Sequence, residues 1–283
     1  MQTIAYLGPP GSYSEEAALL YIPQAQYLPV ASMPAVVAAV EQSQAECGML
    51  PIENVLEGGV TTTLDLLIHE TDLHIAGEIV MPIRQCLVAR TDIDLSQIEV
   101  LYGHPQSLGQ CRKFIERFLP KVVTLASLSN SAAPAEALAD SRVAAAISTV
   151  RAAALLGATI LARDIQDRKD NVTRFIAIGR DDHPPTGDDK TSFCFGFDRE
   201  DRPGSLVSAL QELAHENLNM IKLESRPSKE LLGRYIFLVD MNGHRQDSAV
   251  AGALERIRAK TGFMKVFGSY PRYQTGVVSS QSC

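Results

Sequence analysis

Three kinds of segment recur in the same order along residues 1–180: an apolar run, a short loop of small polar residues, and a stretch with the apolar spacing of one helix face. In the first unit, residues 4–8 predict a strand, and Ser12 and Glu15 fit a capping box that opens a helix. The same order recurs around the loops at 53–59, 103–107, 129–131 and 148–149. Strands that alternate with helices indicate an α/β architecture with largely parallel sheets.

The polar loops predict a site for a small anion. In such sheets a ligand binds beyond the carboxyl ends of the strands, where these loops lie. Helix N-termini there offer free N–H groups, each favouring an anion by about 0.3–1 kcal/mol. Singly, Ser12, Ser107 and Ser131 are explained equally well as helix caps, but several such loops at one sheet edge favour a shared cleft. We therefore expect main-chain N–H groups near these serines to bind the carboxylates of a substrate.

Two apolar segments are placed to cross between sub-lobes, at residues 77–88 and 164–179. They predict a first lobe of about residues 1–78 and 165–180, and a second of about 79–164. This division puts Thr173 at the hinge and the cleft.

Residues 181–190 are rich in Pro, Gly and Asp without periodicity, and they predict a domain linker. The pattern of residues 191–273 is strand, helix, two strands, helix and strand, which is the ferredoxin-like βαββαβ order. The tail, 274–283, is expected to be frayed. Since no candidate catalytic motif follows the linker, residues 1–182 are expected to remain active alone.

Composition excludes several classes of function. The net charge is -7 with no basic run, which weighs against nucleic acid as a partner. The most apolar window, 143–162, is interrupted by Arg151 and Gly157, so we expect a strand and a helix rather than a membrane span. With 5 cysteines, no CxxC and no signal-peptide pattern after Met1, we expect a reduced, cytoplasmic protein. Glycine-rich nucleotide motifs, HExxH and metal-spaced Cys/His clusters are missing, so neither cofactor nor metal is expected.

The segment 171–175, Asn-Val-Thr-Arg-Phe, stands between a dense polar run and the apolar run 175–179. It places an amide, a hydroxyl and a guanidinium at the mouth of a predicted buried strand. By itself the pattern is also explained by a capping Asn and a solvated Arg, because short motifs have many chance matches. The surrounding chain favours a functional site.

With these residues in place, the chain resembles the bacterial prephenate dehydratases across nearly its whole length. The matching segments are 7–15, 51–54, 104–106, 165–167 and 171–175. The second domain resembles an ACT domain, at 202–207 and 224–227. Each motif is short, but their order and spacing are specific. The resemblance implies a two-lobed, periplasmic-binding-protein-like catalytic domain followed by a ferredoxin-like ACT regulatory domain.

The family is a group of carbon–oxygen lyases that convert prephenate to phenylpyruvate, losing carbon dioxide and water, in L-phenylalanine biosynthesis. The resemblance assigns the central role to Thr173, which we expect to donate a hydrogen bond to the departing hydroxyl. Glu53 as its proton source is our own hypothesis. The expected substrate-binding residues are Gly11, Ser12, Asn54, Gly58, His104, Gln106, Ser107, Ser129, Ser131, Asn171, Arg174 and Phe175.

The ACT resemblance implies feedback inhibition by L-phenylalanine. The expected effector-binding residues are Pro203, Gly204, Ser205, Leu206, Val207, Asn219, Glu224 and Ser225. For Glu224, an exposed strand residue is an equal alternative. In relatives with an ACT domain the effector site lies between subunits, so a homodimer or homotetramer is expected.

The chain departs from the family pattern at Val55, Gly59 and Gly103, where many members carry serine. These differences keep open the alternative of a non-catalytic amino-acid sensor. A separate alternative that the sequence does not settle is arogenate as the substrate, which adds an ammonium group. The intact Thr173 favours the enzyme over the sensor.

Overall fold

The structure is a computed structural model that describes residues 2–197, 202–229, 231 and 233–274. Its strands are β1 Thr3–Leu7, β2 Gln26–Val30, β3 Cys47–Asn54, β4 Gly58–Gly59, β5 His74–Pro82, β6 Cys86–Ala89, β7 Val100–Gly103, β8 Val123–Ala126, β9 Ala144–Ser148, β10 Thr159–Ala162, β11 Val172–Gly179, β12 Asp189–Gly196, β13 Met220–Pro227, β14 Tyr235–Asn242 and β15 Phe263–Pro271. Its α-helices are α1 Tyr13–Tyr21, α2 Met33–Glu41, α3 Thr61–Asp65, α4 Pro105–Gln110, α5 Arg112–Phe118, α6 Ala133–Ala139, α7 Val150–Leu156, α8 Ser205–His215 and α9 Ser248–Lys260. A π-helical turn, Leu66–Glu70, continues α3, and a 3-10 turn spans Leu95–Gln97.

Each of the first two sheets forms one lobe. The first has the order β2-β1-β3-β11-β5, with β4 paired to β3, and the second has the order β10-β6-β9-β7-β8. The chain passes from the first sheet to the second between β5 and β6, and returns between β10 and β11. The predicted α/β class and two-lobed organisation are confirmed.

The expectation of largely parallel sheets is corrected at the crossings. β1 runs parallel to β2 and β3, and β7 parallel to β8 and β9, as predicted. β11 is antiparallel to both β3 and β5, and β6 is antiparallel to β9. β6 and β11 each enter a lobe from the other lobe and run against the neighbouring strands β9 and β3. Both sheets are therefore mixed.

The third sheet has the order β13-β14-β12-β15 and carries α8 and α9, which confirms the ferredoxin-like order. Its first strand begins at Asp189, two residues before the predicted Thr191, because Asp189 and Lys190 pair with Pro271 and Tyr270. Asp189 and Lys190 are buried, so they belong to the folded domain rather than to a linker. Residues 275–283 of the predicted tail lie outside the described residues.

Two local predictions also change. Ser12 caps α1 by accepting from the N–H of Glu15, but the Glu15 carboxylate accepts from Gly11, so the capping box is not reciprocal. The helix predicted after Ser107 is divided into α4 and α5. The apolar spacing of Cys111, Phe114, Ile115 and Phe118 predicts one buried helix face; Cys111 is fully buried, but Phe118 is 43% exposed.

The first and third sheets share a core. Leu50, Ile75 and Ile176 of the first lobe form one buried cluster with residues of the ferredoxin-like domain, namely Cys194, Ile236, Leu238, Phe267 and Tyr270. The two units are therefore packed through buried side chains, not simply linked in sequence. In the described part of the chain, no helix is long and apolar enough to cross a membrane.

Candidate active site

A cleft of about 370 Å³ lies between the two lobes, at the ends of strands predicted to face a ligand. Most of the predicted substrate-binding residues line it: Ser12, Asn54, His104, Gln106, Ser107, Ser129, Ser131, Asn171 and Phe175, together with Thr173. The polar loops that follow β1, β7 and β8 therefore converge on one space, as their common sequence pattern indicates.

Thr173 is buried at the start of β11, and its hydroxyl is oriented by Asn54 on the neighbouring strand β3. The Asn54 Oδ1 accepts hydrogen bonds from the backbone N–H groups of Leu56 and Glu57 at 3.0 and 3.1 Å. Its Nδ2 therefore faces Thr173 and donates to Oγ1 at 2.8 Å. Because Oγ1 acts as acceptor in this contact, the hydroxyl hydrogen of Thr173 remains available to a group in the cleft.

Asn171 extends this arrangement toward the second lobe. Its Oδ1 accepts from Nδ2 of Asn54 at 2.8 Å, and its own Nδ2 donates to Oε1 of Gln110 at 3.2 Å. Its backbone carbonyl accepts from the N–H of Ile83 in the crossing segment at 2.8 Å. The amide of Asn171 thus ties the Thr173 strand to α4, and its contacts are with the protein.

The described lining of the cleft has polar side chains but no formal charge. Among the described residues that line it there is no Lys, Arg, Asp or Glu. His104 is the N-cap of α4, and its Nδ1 accepts from the N–H of Gln106 at 3.3 Å. Since Nδ1 is used as an acceptor, Nε2 is the ring atom of His104 that can donate a hydrogen bond. An anion would have to be bound by dipoles, N–H groups and hydroxyls.

Gly11 and Gly58, both predicted to bind substrate, do not line the cleft. Gly11 has φ +89°, and a Cβ there would lie 2.8 Å from Cα of Ala152 in the other lobe. Its carbonyl accepts from Thr149 at 2.7 Å, beside the ion pair of Glu15 with Arg151. Gly11 therefore joins the lobes, and glycine is required by the close approach and the positive φ. Gly58, also at positive φ, is exposed in the turn paired with Asn54.

Arg174 and Glu53 are also corrected, because they lie on the opposite face of the sheet from Thr173. Successive side chains of a strand point to opposite faces, and the register pairs Thr173 with Asn54 and Arg174 with Glu53. Arg174 contacts Asp240 of the third sheet at 2.5 Å, and its Nε lies 2.8 Å from Glu78. This placement excludes Arg174 as a direct ligand of the substrate and Glu53 as the direct proton source for Thr173.

The charges around Arg174 compensate one another. Burial acts to lower the pKa of Arg174, but the nearby Tyr270, Asp240 and Glu78 hold it well above its ordinary value. Burial likewise acts to raise the pKa of Asp240, and the charge of Arg174 with the hydrogen bond from Ser192 keeps it below its ordinary value. Both groups are therefore charged in the folded protein, as an ion pair between the domains.

Three further amide side chains line the cleft that sequence reasoning missed: Gln85, Gln110 and Asn130. Gln110 lies one helical turn after Gln106, and Asn130 lies between two predicted serines, so spacing alone could have indicated both. Gln85 had no such signal, because it stands inside an apolar segment assigned only to a crossing.

The departures from the family pattern have separate structural settings. Val55 is 58% exposed outside the cleft lining. Gly103 packs beneath α4, where a Cβ would lie 3.2 Å from Leu108. At Gly59 a Cβ would lie 2.8 Å from both carboxylate oxygens of Glu224, so glycine lets the third sheet approach the first lobe here.

The predicted effector residues divide between two faces of the third sheet. Gly204 is the N-cap of α8 at φ +92° with open space around it, and Val207 is 67% exposed. Ser225 and Asn219 are exposed, as is Pro203, while Ser205 and Leu206 are half-buried. Glu224 instead faces the first lobe, between Lys222 at 3.1 Å and Arg226 at 3.6 Å. Strand alternation separates it from Ser225, so Glu224 belongs to the domain interface.

Two α/β lobes enclose a cleft lined by polar side chains, and a ferredoxin-like domain follows them. This architecture is typical of a two-lobed protein that binds a small molecule and carries a regulatory domain. Residues 4–183 match the family model for prephenate dehydratase, and residues 195–259 match that for the ACT domain. The chain belongs to the prephenate dehydratase family.

Individual relatives agree with this assignment. A bifunctional chorismate mutase/prephenate dehydratase of Aquifex aeolicus is 42% identical over 270 residues, which is 95% of this chain and 73% of the relative. The crystal structure of a prephenate dehydratase from Arthrobacter aurescens in complex with L-Phe has a TM-score of 0.87 and 36% identity, covering 98% of this chain and 93% of that one.

A further solved structure warns against inferring activity from fold alone. It is GqqA, described as a novel type of quorum quenching acylase, with a TM-score of 0.86 and 30% identity, covering 96% of this chain and 98% of that one.

Proposed function

We propose that this chain converts prephenate to phenylpyruvate, carbon dioxide and water, with Thr173 donating a hydrogen bond to the departing hydroxyl. The observation that carries the proposal is the hydroxyl of Thr173, held as an acceptor by Asn54 so that its hydrogen is directed elsewhere. A sensor that only bound its ligand would not require this arrangement in a buried threonine.

The chemistry asks the protein for position rather than for a nucleophile. The bond between the ring and its carboxylate breaks, and its electron pair enters the ring as the carbon–oxygen bond to the hydroxyl breaks. The hydroxyl takes up one proton and leaves as water. The ring becomes aromatic, which supplies the driving force, so holding the substrate and stabilising the leaving oxygen are the main tasks of the cleft.

The charge distribution favours prephenate over arogenate. Both substrates carry carboxylates, to which N–H groups near Ser12, Ser107 and Ser131 are placed to donate hydrogen bonds. Arogenate also carries an ammonium group, which needs an anionic or several neutral acceptors when removed from water. The described cleft lining offers no carboxylate to pair with it.

The test is to incubate the purified protein with prephenate at neutral pH and to follow phenylpyruvate, with arogenate in parallel. Thr173→Val keeps the shape and removes the hydroxyl, and we expect turnover to fall by about 10²-fold or more, the scale of a positioned donor. Thr173→Ser is the matched control, since it keeps a hydroxyl. Equal turnover by a correctly folded valine variant would exclude Thr173 from the mechanism.

An acylase assay tests a second activity, the one described for the similar protein GqqA. Among the described cleft residues, no hydroxyl is hydrogen-bonded to a histidine or carboxylate that would activate it as a nucleophile. We therefore expect an N-acyl amide to remain uncleaved under conditions in which prephenate is consumed.

We further propose that L-phenylalanine binds near the start of α8 and inhibits the reaction. Gly204 leaves the helix N-terminus open to a carboxylate, and the relative from Arthrobacter aurescens is a complex with L-Phe. Calorimetry with and without an active-site ligand tests this proposal. By reciprocity, prephenate must weaken phenylalanine binding by the same factor as phenylalanine weakens prephenate binding, so independent binding of the two would contradict it.

We propose a homodimer or homotetramer that joins at the third sheet, and a cytoplasmic location. β13 is an edge strand of that sheet, its residues Ile221 and Leu223 are exposed and apolar, and Val207 of α8 is exposed as well. The buried cysteines Cys47, Cys86, Cys111 and Cys194, which are thiols rather than disulfides, suit a reducing compartment. Light scattering of the wild type and of Leu223→Asp tests the assembly, because a monomeric wild type would exclude it.

A further inference from the structure

We infer that Gln85 is a further substrate-binding residue, whose side-chain oxygen accepts a hydrogen bond from the ring hydroxyl of the substrate. The inference rests on the proposed dehydratase function. It adds to that function a second contact with the leaving group, from the crossing segment between β5 and β6 rather than from β11.

Gln85 is held rigidly at the hinge of the two lobes. It is only 1% exposed, yet it lines the cleft. Its N–H donates to the side-chain Oε1 of Gln166 at 2.9 Å, and its carbonyl accepts from the N–H of Ile165 at 3.0 Å. Both partners belong to the returning segment between β10 and β11, so this segment fixes the backbone of Gln85.

The side chain has one satisfied end and one unsatisfied end. Its Nε2 donates to Oγ of Ser107 at 3.2 Å, and that hydroxyl donates in turn to Oδ1 of Asn130 at 2.6 Å. Because Ser107 gives its hydrogen to Asn130, it meets Gln85 as an acceptor, which assigns the amide orientation. Among the described residues, no donor reaches Oε1 of Gln85.

A buried acceptor without a donor is unfavourable for the folded protein, and native structures retain few of them. Because Gln85 is among the residues that line the cleft, a ligand bound there could bring the missing hydrogen to this atom. An amide oxygen selects O–H or N–H groups and repels carboxylates.

Prephenate offers one hydrogen-bond donor. Its two carboxylates and its ketone only accept at neutral pH, whereas its ring hydroxyl can donate. If this hydroxyl donates its hydrogen to Oε1 of Gln85, its oxygen can only accept from Thr173, through a lone pair. The group that leaves is thereby held between an acceptor and a donor, which is the orientation that protonation of the oxygen requires.

The experiment compares Gln85→Met with the wild type for two ligands. Prephenate has the ring hydroxyl, and the product phenylpyruvate lacks it. We expect kcat/KM for prephenate to fall about tenfold or more, which is the effect of one lost hydrogen bond to a hydroxyl. The inhibition constant of phenylpyruvate should change less than twofold. The melting temperature should change little, because the loss of the Nε2 hydrogen bond to Ser107 is offset by removal of the unsatisfied Oε1 at similar side-chain volume.

Gln166→Met is the matched control, since Gln166 is a buried glutamine of the same hinge that is not in the cleft lining. Disturbance of the hinge should alter prephenate turnover and phenylpyruvate inhibition by the same factor. Unchanged kcat/KM in Gln85→Met, an equal loss for both ligands, or a clearly less stable or unfolded Gln85→Met protein would each overturn the inference. A wild type that forms no phenylpyruvate would instead overturn the proposed function.

Discussion

The two faces of the first sheet differ in charge although they are built from the same strands. On β3 and β11, Asn54 and Thr173 face a cleft whose described lining has no formally charged side chain. The next residues along, Glu53 and Arg174, face the third sheet within a group of buried and half-buried ions. Strand alternation thus places the candidate chemistry and the domain contact one residue apart.

The difference indicates how the protein separates substrate binding from the contact between its domains. A neutral cleft lets a dianion bind through oriented dipoles, without a strong ion pair that would favour the substrate over the transition state. The opposite face uses fixed charges, where Arg174 meets Glu78 and Asp240, and Lys190 meets Glu78 at 2.8 Å. Such ions specify how the domains sit, because each is costly to leave unpaired.

The largest expected effect is that of removing the third sheet. The sequence predicts an active fragment of residues 1–182, but Leu50, Ile75 and Ile176 share a buried cluster with the ferredoxin-like domain. Each fully buried apolar side chain contributes about 1.5–3 kcal/mol, so the fragment should lose most of its stability. We expect it to aggregate or to lack fixed tertiary structure, measured by sedimentation and near-ultraviolet circular dichroism. A soluble fragment with wild-type turnover would restore the expectation from sequence.

Arg174→Met should affect stability where Thr173→Val affects turnover. Removing Arg174 leaves Asp240 and Glu78 without their main partner, and breaking a buried pair costs about 3–5 kcal/mol. We expect a large loss in the free energy of unfolding, measured by chemical denaturation, and a weakened response to phenylalanine. Thr173→Val should leave the unfolding free energy within about 1 kcal/mol of wild type, because Nδ2 of Asn54 keeps its hydrogen bonds to Asn171 and to the carbonyl of Val172.

A double variant separates the loss of the Arg174–Asp240 ion pair from the cost of leaving Asp240 charged without its partner. Arg174→Met combined with Asp240→Asn removes both partners, and it should recover part of the lost stability. If the double variant is as unstable as the sum of the single ones, the pair does not act as a unit. The contrast between the two faces would then be weaker than the geometry indicates.

The same contrast explains what the sequence could predict. Periodicity located the strands and helices, and the repeated polar loops indicated the cleft at Ser12, Ser107 and Ser131. Motif matching cannot distinguish the faces of a strand before its register and neighbours are known, so Arg174 and Glu53 were assigned with Thr173. Gln85 depends on a hydrogen-bond network between distant segments, which no local pattern records.

Gly59→Ser is expected to have a moderate effect on the charged face. The added Cβ would lie 2.8 Å from the Glu224 carboxylate and from Cδ1 of the buried Leu64. The carboxylate can move, but Leu64 is packed, so we expect a loss of about 1–3 kcal/mol in stability, as for overpacked sites. Thermal melting of Gly59→Ser and of Gly59→Ser with Glu224→Ala measures how much of the loss comes from Glu224. No recovery in the double variant would assign the strain to Leu64.

The smallest expected effect is a change of stability with pH, caused by the Arg174–Asp240 ion pair on the charged face of the sheet. The folded pKa of Asp240 is below its ordinary value, because the charge of Arg174 outweighs the effect of burial. Folding therefore gains stability from this carboxylate above its unfolded pKa of about 3.9, and the gain is lost as the pH falls through the folded pKa. Melting temperatures of the wild type and of Arg174→Met with Asp240→Asn, measured from pH 6 down to about pH 3, should converge toward the acid end. The cleft contributes no paired carboxylate to this slope, so Thr173→Val should follow the wild type throughout. If the wild type and the double variant run parallel over the whole range, the Arg174–Asp240 pair does not hold the domains together by charge, and the distinction between the two faces is one of shape alone.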